Sequence, residues 1–311
     1  MSRPPIHQIR AYGTLRERFS SLVFTTADVR ALGISPAVLR GLISTGRCLA
    51  VAHGVYVLTD LVPEDAFLTR VRARLAGRKA DAVVAHVTAA RLHKLRTPFE
   101  SQLGDDRLWL LHTPGSAKAT HRSGVALLPA QYGPSHVMEI DGLRMTTLAR
   151  TAMDLARGCP LERALVPIDH ALARGVPRGA LVELAVFMKG WPGTRVFRDA
   201  LEIASPLAES GLESMSRAVI YRQGVVAPEL QAELRGLSGK RYRVDMLWRE
   251  RRVILEIDGE PKYESEKALF NEKRREDDLR RADWTVIRWT YDDVFVGEHP
   301  GISWLKRALL R

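Results

Sequence analysis

Cysteine is scarce in this chain: its 311 residues include only Cys48 and Cys159, far apart and outside any Cys/His spacing pattern. Neither a disulfide framework nor a zinc site is expected. Long apolar runs are missing too. No stretch of about 18 apolar residues exists to span a bilayer, and no charged-then-apolar leader opens the chain. The expected location is therefore the reducing cytoplasm. No internal repeat or low-complexity tract points to a solenoid or a disordered tail. His86, His93, His112 and His136 are too scattered to suggest a metal site.

What the chain has is positive charge. A net charge of +11 and a pI near 10.0 favour contact with polyanions, nucleic acid first among them. Membrane surfaces and acidic proteins compete for that role, but no amphipathic basic helix stands out. The excess is uneven. Residues 1–60 carry 7 basic and 3 acidic side chains, residues 61–205 carry 20 and 14, and residues 206–311 carry 20 and 19. The last third is nearly neutral, so the front supplies most of the attraction.

That last third holds the chemistry. Asp245 lies on an apolar stretch from Tyr242 to Trp248, and Glu256 and Asp258 lie on the next, Arg252 to Gly259. Strand alternation sends Glu256 and Asp258 to one side and Leu255 and Ile257 to the other. A turn centred on Glu250-Arg251 places Asp245 opposite Glu256, within cross-strand reach. Three carboxylates then converge, and like charges so close call for a cation. An oxygen-only donor set suits Mg²⁺ or Mn²⁺ and leaves positions for water and a phosphate. Taken singly such acids are usually solvated strand faces, but the run Val253-Ile254-Leu255 with Ile257 is typical of a strand covered on both faces. Gly259 ends it. A basic helix follows, about 263 to 282, with Lys267, Lys273, Arg274, Arg275, Arg280 and Arg281; a strand from Trp284 to Trp289 comes next, before a turn at Asp292-Asp293. Upstream, Ser210 to Met215 opens a helix reaching about Gln223. Its core face is expected to be Leu212, Met215, Val219 and Ile220, with Glu213 in the first turn.

The front of the chain reads as two short helices and a hairpin. Phe24 to Gly33 is a capped helix ended by Gly; Ser35-Pro36 starts a second that runs from Ala37 to Thr45 and stops at Gly46. A hairpin from Cys48 to Leu58 turns at His53-Gly54. Together these describe a winged helix-turn-helix. On that reading Arg40 and Arg47 meet base edges or phosphates, and His53 sits in the wing; the plainer reading is a small helical domain that only packs on its neighbours. In the middle, Val83 to Leu92 leads into a helix. Strands are expected at 107 to 112, 124 to 129 and 136 to 145 with a hairpin turn at Asp141-Gly142. Thr146 and Thr147 cap a helix on which Arg150 and Asp154 form a surface pair. Further helices run to about Ala204.

The C-terminal motifs resemble the restriction-endonuclease-like PD-(D/E)XK superfamily, closest to its very-short-patch-repair-like endonuclease domains. The resemblance rests on Ser210-Gly211-Leu212-Glu213, Val244 to Trp248, Leu255 to Gly259, Glu272 to Arg280 and Trp284 to Thr290, about a third of the chain. It implies that Asp245 and Glu256 hold the metal, with the carbonyl of Ile257 a further ligand. Glu213 would bind a metal-shell water or a second ion, and the reaction would be phosphodiester hydrolysis. The position that usually carries the catalytic lysine is Asp258 here; Lys262 or Lys273 is the expected substitute, and with neither in reach the domain binds without cutting. The front segment resembles the N-terminal domain of AbiEi-type antitoxins through Phe24-Thr25-Thr26, Gly46-Arg47-Cys48 and Gly54-Val55-Tyr56, which implies transcriptional repression.

The expected architecture is thus an α/β multi-domain protein. Residues 1–75 form the winged helix-turn-helix, 76–205 an α+β connector, and 206–311 a restriction-endonuclease-like α/β/α nuclease domain. The expected function is Mg²⁺- or Mn²⁺-dependent hydrolysis of double-stranded DNA. One rival is a DNA-binding regulator or antitoxin-like protein with a non-cleaving nuclease fold. Another is a repair nuclease acting on structured or damaged DNA, whose front domain makes only protein contacts.

Overall fold

Side-chain caps set the first elements. In the computed structural model, which describes residues 5–19, 23–61, 66–76, 82–97, 107–112, 120–122, 124–140, 142–258, 266–295 and 300–310, α1 (Ile6–Arg18) and β1 (Phe24–Thr25) lead into α2 (Thr26–Ala31). Thr25 accepts from the Asp28 N–H while the Asp28 carboxylate accepts back from the Thr25 N–H, a capping box. Ser35 caps α3 (Pro36–Ser44), with Pro36 at the first helical position where its missing N–H costs nothing. β2 (Cys48–Ala52) and β3 (Val55–Leu58) turn through Gly54, whose φ of +69° is open to glycine at little cost. The three strands pair in the order β1-β3-β2. All three helices close on one core of Ala11, Leu15, Phe24, Val29, Leu39, Leu42, Cys48 and Leu58. The two expected helices and the hairpin are present, and α1 is an addition.

After α4 (Ala66–Leu75), a six-stranded mixed sheet forms from β4 (Val83–Val84), β5 (Leu108–His112), β6 (Thr120–Arg122), β7 (Val125–Pro129), β8 (Val137–Ile140) and β9 (Leu143–Thr146). Their order is β6-β7-β5-β4-β9-β8. Helix α5 (His86–Leu92) follows β4, and Phe67, Val71, Val84, Leu108, Leu110 and Met145 share a core. The β8–β9 hairpin pairs Ile140 with Leu143, a two-residue turn at the expected place, although Asp141 itself lies outside the described residues.

Four helices come next: α6 (Leu148–Ala156), α7 (Leu161–Ala173), α8 (Arg178–Phe187) and α9 (Thr194–Ile203). They are followed by α10 (Gly211–Arg222), β10 (Glu229–Arg235), β11 (Arg241–Trp248), β12 (Val253–Ile257), α11 (Glu266–Arg281), β13 (Thr285–Trp289), α12 (Tyr291–Phe295) and α13 (Pro300–Leu309). The last four strands pair in sequence order, antiparallel except for the parallel β12–β13 pair. One face of this sheet meets Ile220 of α10 and Val294, Ile302 and Leu305 of α12 and α13; the other meets Leu279 of α11. The result is a mixed α/β chain with 13 helices and three sheets among the described residues. It divides into two compact units, one of residues 1–92 and 106–146, the other of residues 93–105 and 147–311. The divisions expected near 75 and 205 fall inside these units. No helix among the described residues is long and apolar enough to cross a membrane.

Two expectations about helix faces need correction. Arg150 and Asp154 are not a surface pair: Arg150 is fully buried and bonds Asp154 Oδ2 at 2.8 Å, because the i,i+4 spacing is the same whichever way the helix is turned. On α10, Leu212, Met215 and Val219 are only half-buried, whereas Glu213, Ser214, Ser216 and Arg217 are buried. This helix is covered from two sides. Ala218 joins the helical core below it while Ile220 joins the sheet, and its polar residues fill the seam.

Candidate functional site

The β11–β12 hairpin sets the register of the acids. Its turn at Arg249–Arg251 ends on Arg252 at a φ of +52°, and Trp248, Leu247 and Met246 then face Val253, Ile254 and Leu255 in turn. The paired register ends at Met246 and Leu255, the residues next to Asp245 and Glu256. Asp245 leans across the hairpin, and its Oδ2 accepts the Ile257 N–H at 2.8 Å.

A distortion in β10 brings in the third acid. Gln231 has a φ of +49° in mid-strand, a region rarely adopted by residues other than glycine. Leu230 and Met246 pair, and so do Ala232 and Val244, with Gln231 and Asp245 between them. The faces exchange at this point. Leu230, Met246 and Trp248 lie in one core, whereas Ala232, Leu234, Tyr242 and Val244 lie in the other, although unbroken alternation would keep all of them together. The twist aims the Gln231 amide between two carboxylates, donating to Glu213 Oε2 at 3.1 Å and to Asp245 Oδ1 at 3.3 Å. Glu213 sits in the first turn of α10 behind the Ser210 cap, and its Oε2 also accepts the Glu209 N–H at 2.9 Å.

Helix α11 supplies the cation. Arg275 Nη2 lies 2.6 Å from Glu256 Oε1 and 2.6 Å from the Arg243 carbonyl. Glu256 is only 7% exposed. Burial pushes its carboxyl up from 4.5 to about 7; Arg275 opposes the shift and Asp245 adds to it. Burial likewise raises Glu213, with Asp245 contributing in the same sense. Glu213 and Asp245 thus share Gln231, and Asp245 acts on both Glu213 and Glu256.

Asp258 belongs to a different set. Arg288, the Cα partner of Glu256 on β13, holds Asp258 at 3.1 Å and also binds Glu272 and Glu276 of α11. Lys273 is exposed and lines a shallow cleft with Glu272, Glu276, Asp277, Arg280 and Arg288. Lys262 lies outside the described residues. Among the described residues the cation bonded to Glu256 is Arg275, one of several on α11, and Lys273 is not bonded to the acids. Ile257 contributes its N–H to Asp245, and its Cα pairs with Trp289. Among the described residues no group of three or more His, Cys, Asp or Glu side chains is arranged to hold a metal ion.

In the other unit, Arg40 is exposed on α3 and His53 is exposed at the β2–β3 turn. Arg47 is half-buried with its guanidinium 5.5 Å from the centre of the Tyr12 ring. Part of its stacking surface is therefore committed to α1.

A pH effect follows from Glu256. The folded chain binds this proton more tightly than the unfolded chain, so the group's contribution is full below about pH 4.5 and is lost as pH rises through about 7. The shift corresponds to at most about 3 kcal/mol. Without divalent ions, the second unit should be more stable to urea at pH 5 than at pH 8, and Glu256→Gln should remove a large part of that difference. An unchanged pH slope in the variant would contradict the assignment.

No family model matches the chain. Uncharacterized proteins from two strains of Mycobacterium tuberculosis are each 29% identical to it over 174 residues, 56% of this chain and 64% of theirs. The match thus spans less than two thirds of these relatives.

Proposed function

We propose that this protein is a metal-dependent nuclease that hydrolyses DNA phosphodiesters, and that a winged helix-turn-helix at its front holds it on duplex DNA. The observation that carries the reading is the convergence of Asp245, Glu256 and Glu213 around a bent sheet, with Glu256 buried and its carboxyl pushed up. Keeping these charges together costs stability, and a divalent cation would offset that cost. The donors are all oxygen, which fits Mg²⁺ or Mn²⁺. Mg²⁺ is commonly held by one or two carboxylates, with waters and phosphate oxygens completing its shell. Two ligands, Asp245 and Glu256, are therefore enough.

A bound ion would supply a water of lowered pKa and neutralise charge on the phosphate. The chain's own residues would do the rest. Asp245 is fixed by the Ile257 N–H, and Glu213 with Gln231 would orient water beside it. Arg275, already against Glu256, would donate to a non-bridging phosphate oxygen, the task of the lysine whose usual position Asp258 takes. The front unit supports the DNA-binding half through its α2–turn–α3–hairpin order and the exposed Arg40. Arg40→Ala should weaken duplex binding about tenfold in chelator, the effect of removing one bidentate pair with a base edge; unchanged affinity would remove α3 from the DNA.

One observation favours a second reading. Arg275 on Glu256 and the Ile257 N–H on Asp245 already partner both acids from within the chain, so the site is neutralised in part without an ion. A non-cleaving, DNA-binding regulator would look the same. Incubating the full chain with supercoiled plasmid, linear and mismatched duplex, single strands and RNA separates the two. Cutting that needs Mg²⁺ or Mn²⁺ and stops in chelator supports the nuclease. Binding without cutting moves the regulator to first place.

A further inference from the structure

Residues 234–244, Leu-Arg-Gly-Leu-Ser-Gly-Lys-Arg-Tyr-Arg-Val, carry four cations and no acid, although residues 206–311 as a whole are almost balanced. They form the end of β10, its turn and the start of β11. Arg235 and Arg241 are direct cross-strand partners. Like charges in that position disfavour the hairpin, so it needs support from elsewhere.

The support comes from α11. Asp278 accepts the Ser238 N–H at 2.9 Å, the Ser238 hydroxyl at 2.6 Å and the Tyr242 hydroxyl at 3.0 Å. Its carbonyl also accepts the Leu237 N–H. Gly236 passes so close that a Cβ there would lie 2.1 Å from the Asp278 carboxylate. The turn is held in one shape while its cations stay outside. Arg241 and Arg243 are 69% and 56% exposed, and their partners Glu233 and Glu209 are themselves more than half exposed. Water screens such pairs and they tie up little charge. The strand continues directly into the acids: Arg241 is four residues from Asp245, about 13 Å along β11, and the Arg243 carbonyl meets the same Arg275 that contacts Glu256.

We propose that the β10–β11 hairpin, through Arg235, Lys240 and Arg241, is a grip for the phosphate backbone of nucleic acid leading into the Asp245–Glu256 site. It rests on the nucleic-acid reading of that site but not on cleavage. Contacts to phosphate oxygens carry no sequence information, so a grip on the backbone is independent of sequence.

Its signature is the salt dependence of binding, since each phosphate neutralised releases counterions. The test uses the full chain in chelator, a mixed-sequence 30-base-pair duplex and fluorescence anisotropy from low to moderate KCl. Arg235→Gln/Lys240→Gln/Arg241→Gln should weaken binding at least about tenfold and reduce the slope of log K against log salt by about one for each phosphate no longer gripped. The Tm should stay level or rise as the Arg235–Arg241 repulsion is relieved. Lys189→Gln/Arg195→Gln/Arg198→Gln, the same change in net charge at exposed sites on and beside α8 and α9, should leave the slope unchanged. An unaltered slope in the hairpin variant, or an equal fall in the control, overturns the grip. So does a loss confined to anionic phosphatidylserine vesicles. Wild-type cleavage in Mg²⁺, scored separately, tells a failed grip from a failed nuclease.

Discussion

Asp245→Ala is expected to lower Mg²⁺-dependent plasmid cleavage by more than about a hundredfold, the most that losing an outer-shell partner of a metal site typically costs. Glu256→Ala should do the same, and the double variant should be little worse than either, because residues that hold one group act as a unit. Duplex binding in chelator should survive in all three, since the cations of the front unit and the hairpin are untouched. Asp258→Ala should behave differently. Its carboxylate is paired with Arg288 and not with Arg275, which holds Glu256, so a loss of less than about tenfold is expected. If Asp258→Ala abolished cleavage while Asp245→Ala did not, the assignment of ligands would be wrong.

Asp169→Ala is expected to destabilise the second unit by about 3–5 kcal/mol, lowering its Tm by roughly 10 °C. Asp169 on α7 and Arg217 on α10 are 1% and 8% exposed and meet at 2.7 Å. Asp169 also accepts the Ser205 N–H at 2.8 Å, and Arg217 reaches the Ile203 carbonyl. Removing the carboxylate strands a buried guanidinium. The double variant Asp169→Leu/Arg217→Met, which removes both charges, should recover most of the loss. Thermal unfolding of both variants checks this; equal losses would show that burial of an unpaired charge is not the cause. Ser205, next to the expected division, is bonded through its N–H to Asp169 in the seam between α7 and α10.

The parts of the site set by local rules could be read from the residues. A turn centred on Glu250-Arg251 sufficed to give the register that pairs Met246 with Leu255, because hairpin register follows from the turn. Glu213 was visible in the first turn of its helix. Gln231 was not. A positive φ is foreseen at glycine, and Glu229 to Arg235 alternates polar and apolar residues as a regular strand does, so nothing in it marks the twist. Arg275 was hidden for another reason. Helix α11 carries a run of basic residues, and which one meets Glu256 depends on how the helix is rotated against the sheet. Alternation put Asp258 beside Glu256 in the sequence reading. Its partner could not be foreseen, since Arg288 arrives from the parallel strand β13, thirty residues later.

The most direct test of the central claim is a titration of the full chain with Mn²⁺ at pH 7.5, following bound ion by electron paramagnetic resonance. The account predicts a bound ion that Asp245→Ala abolishes and that Arg275→Gln retains or strengthens, because the internal counter-charge on Glu256 is gone. Wild-type protein that binds no Mn²⁺, or binding that Asp245→Ala leaves intact, would contradict it.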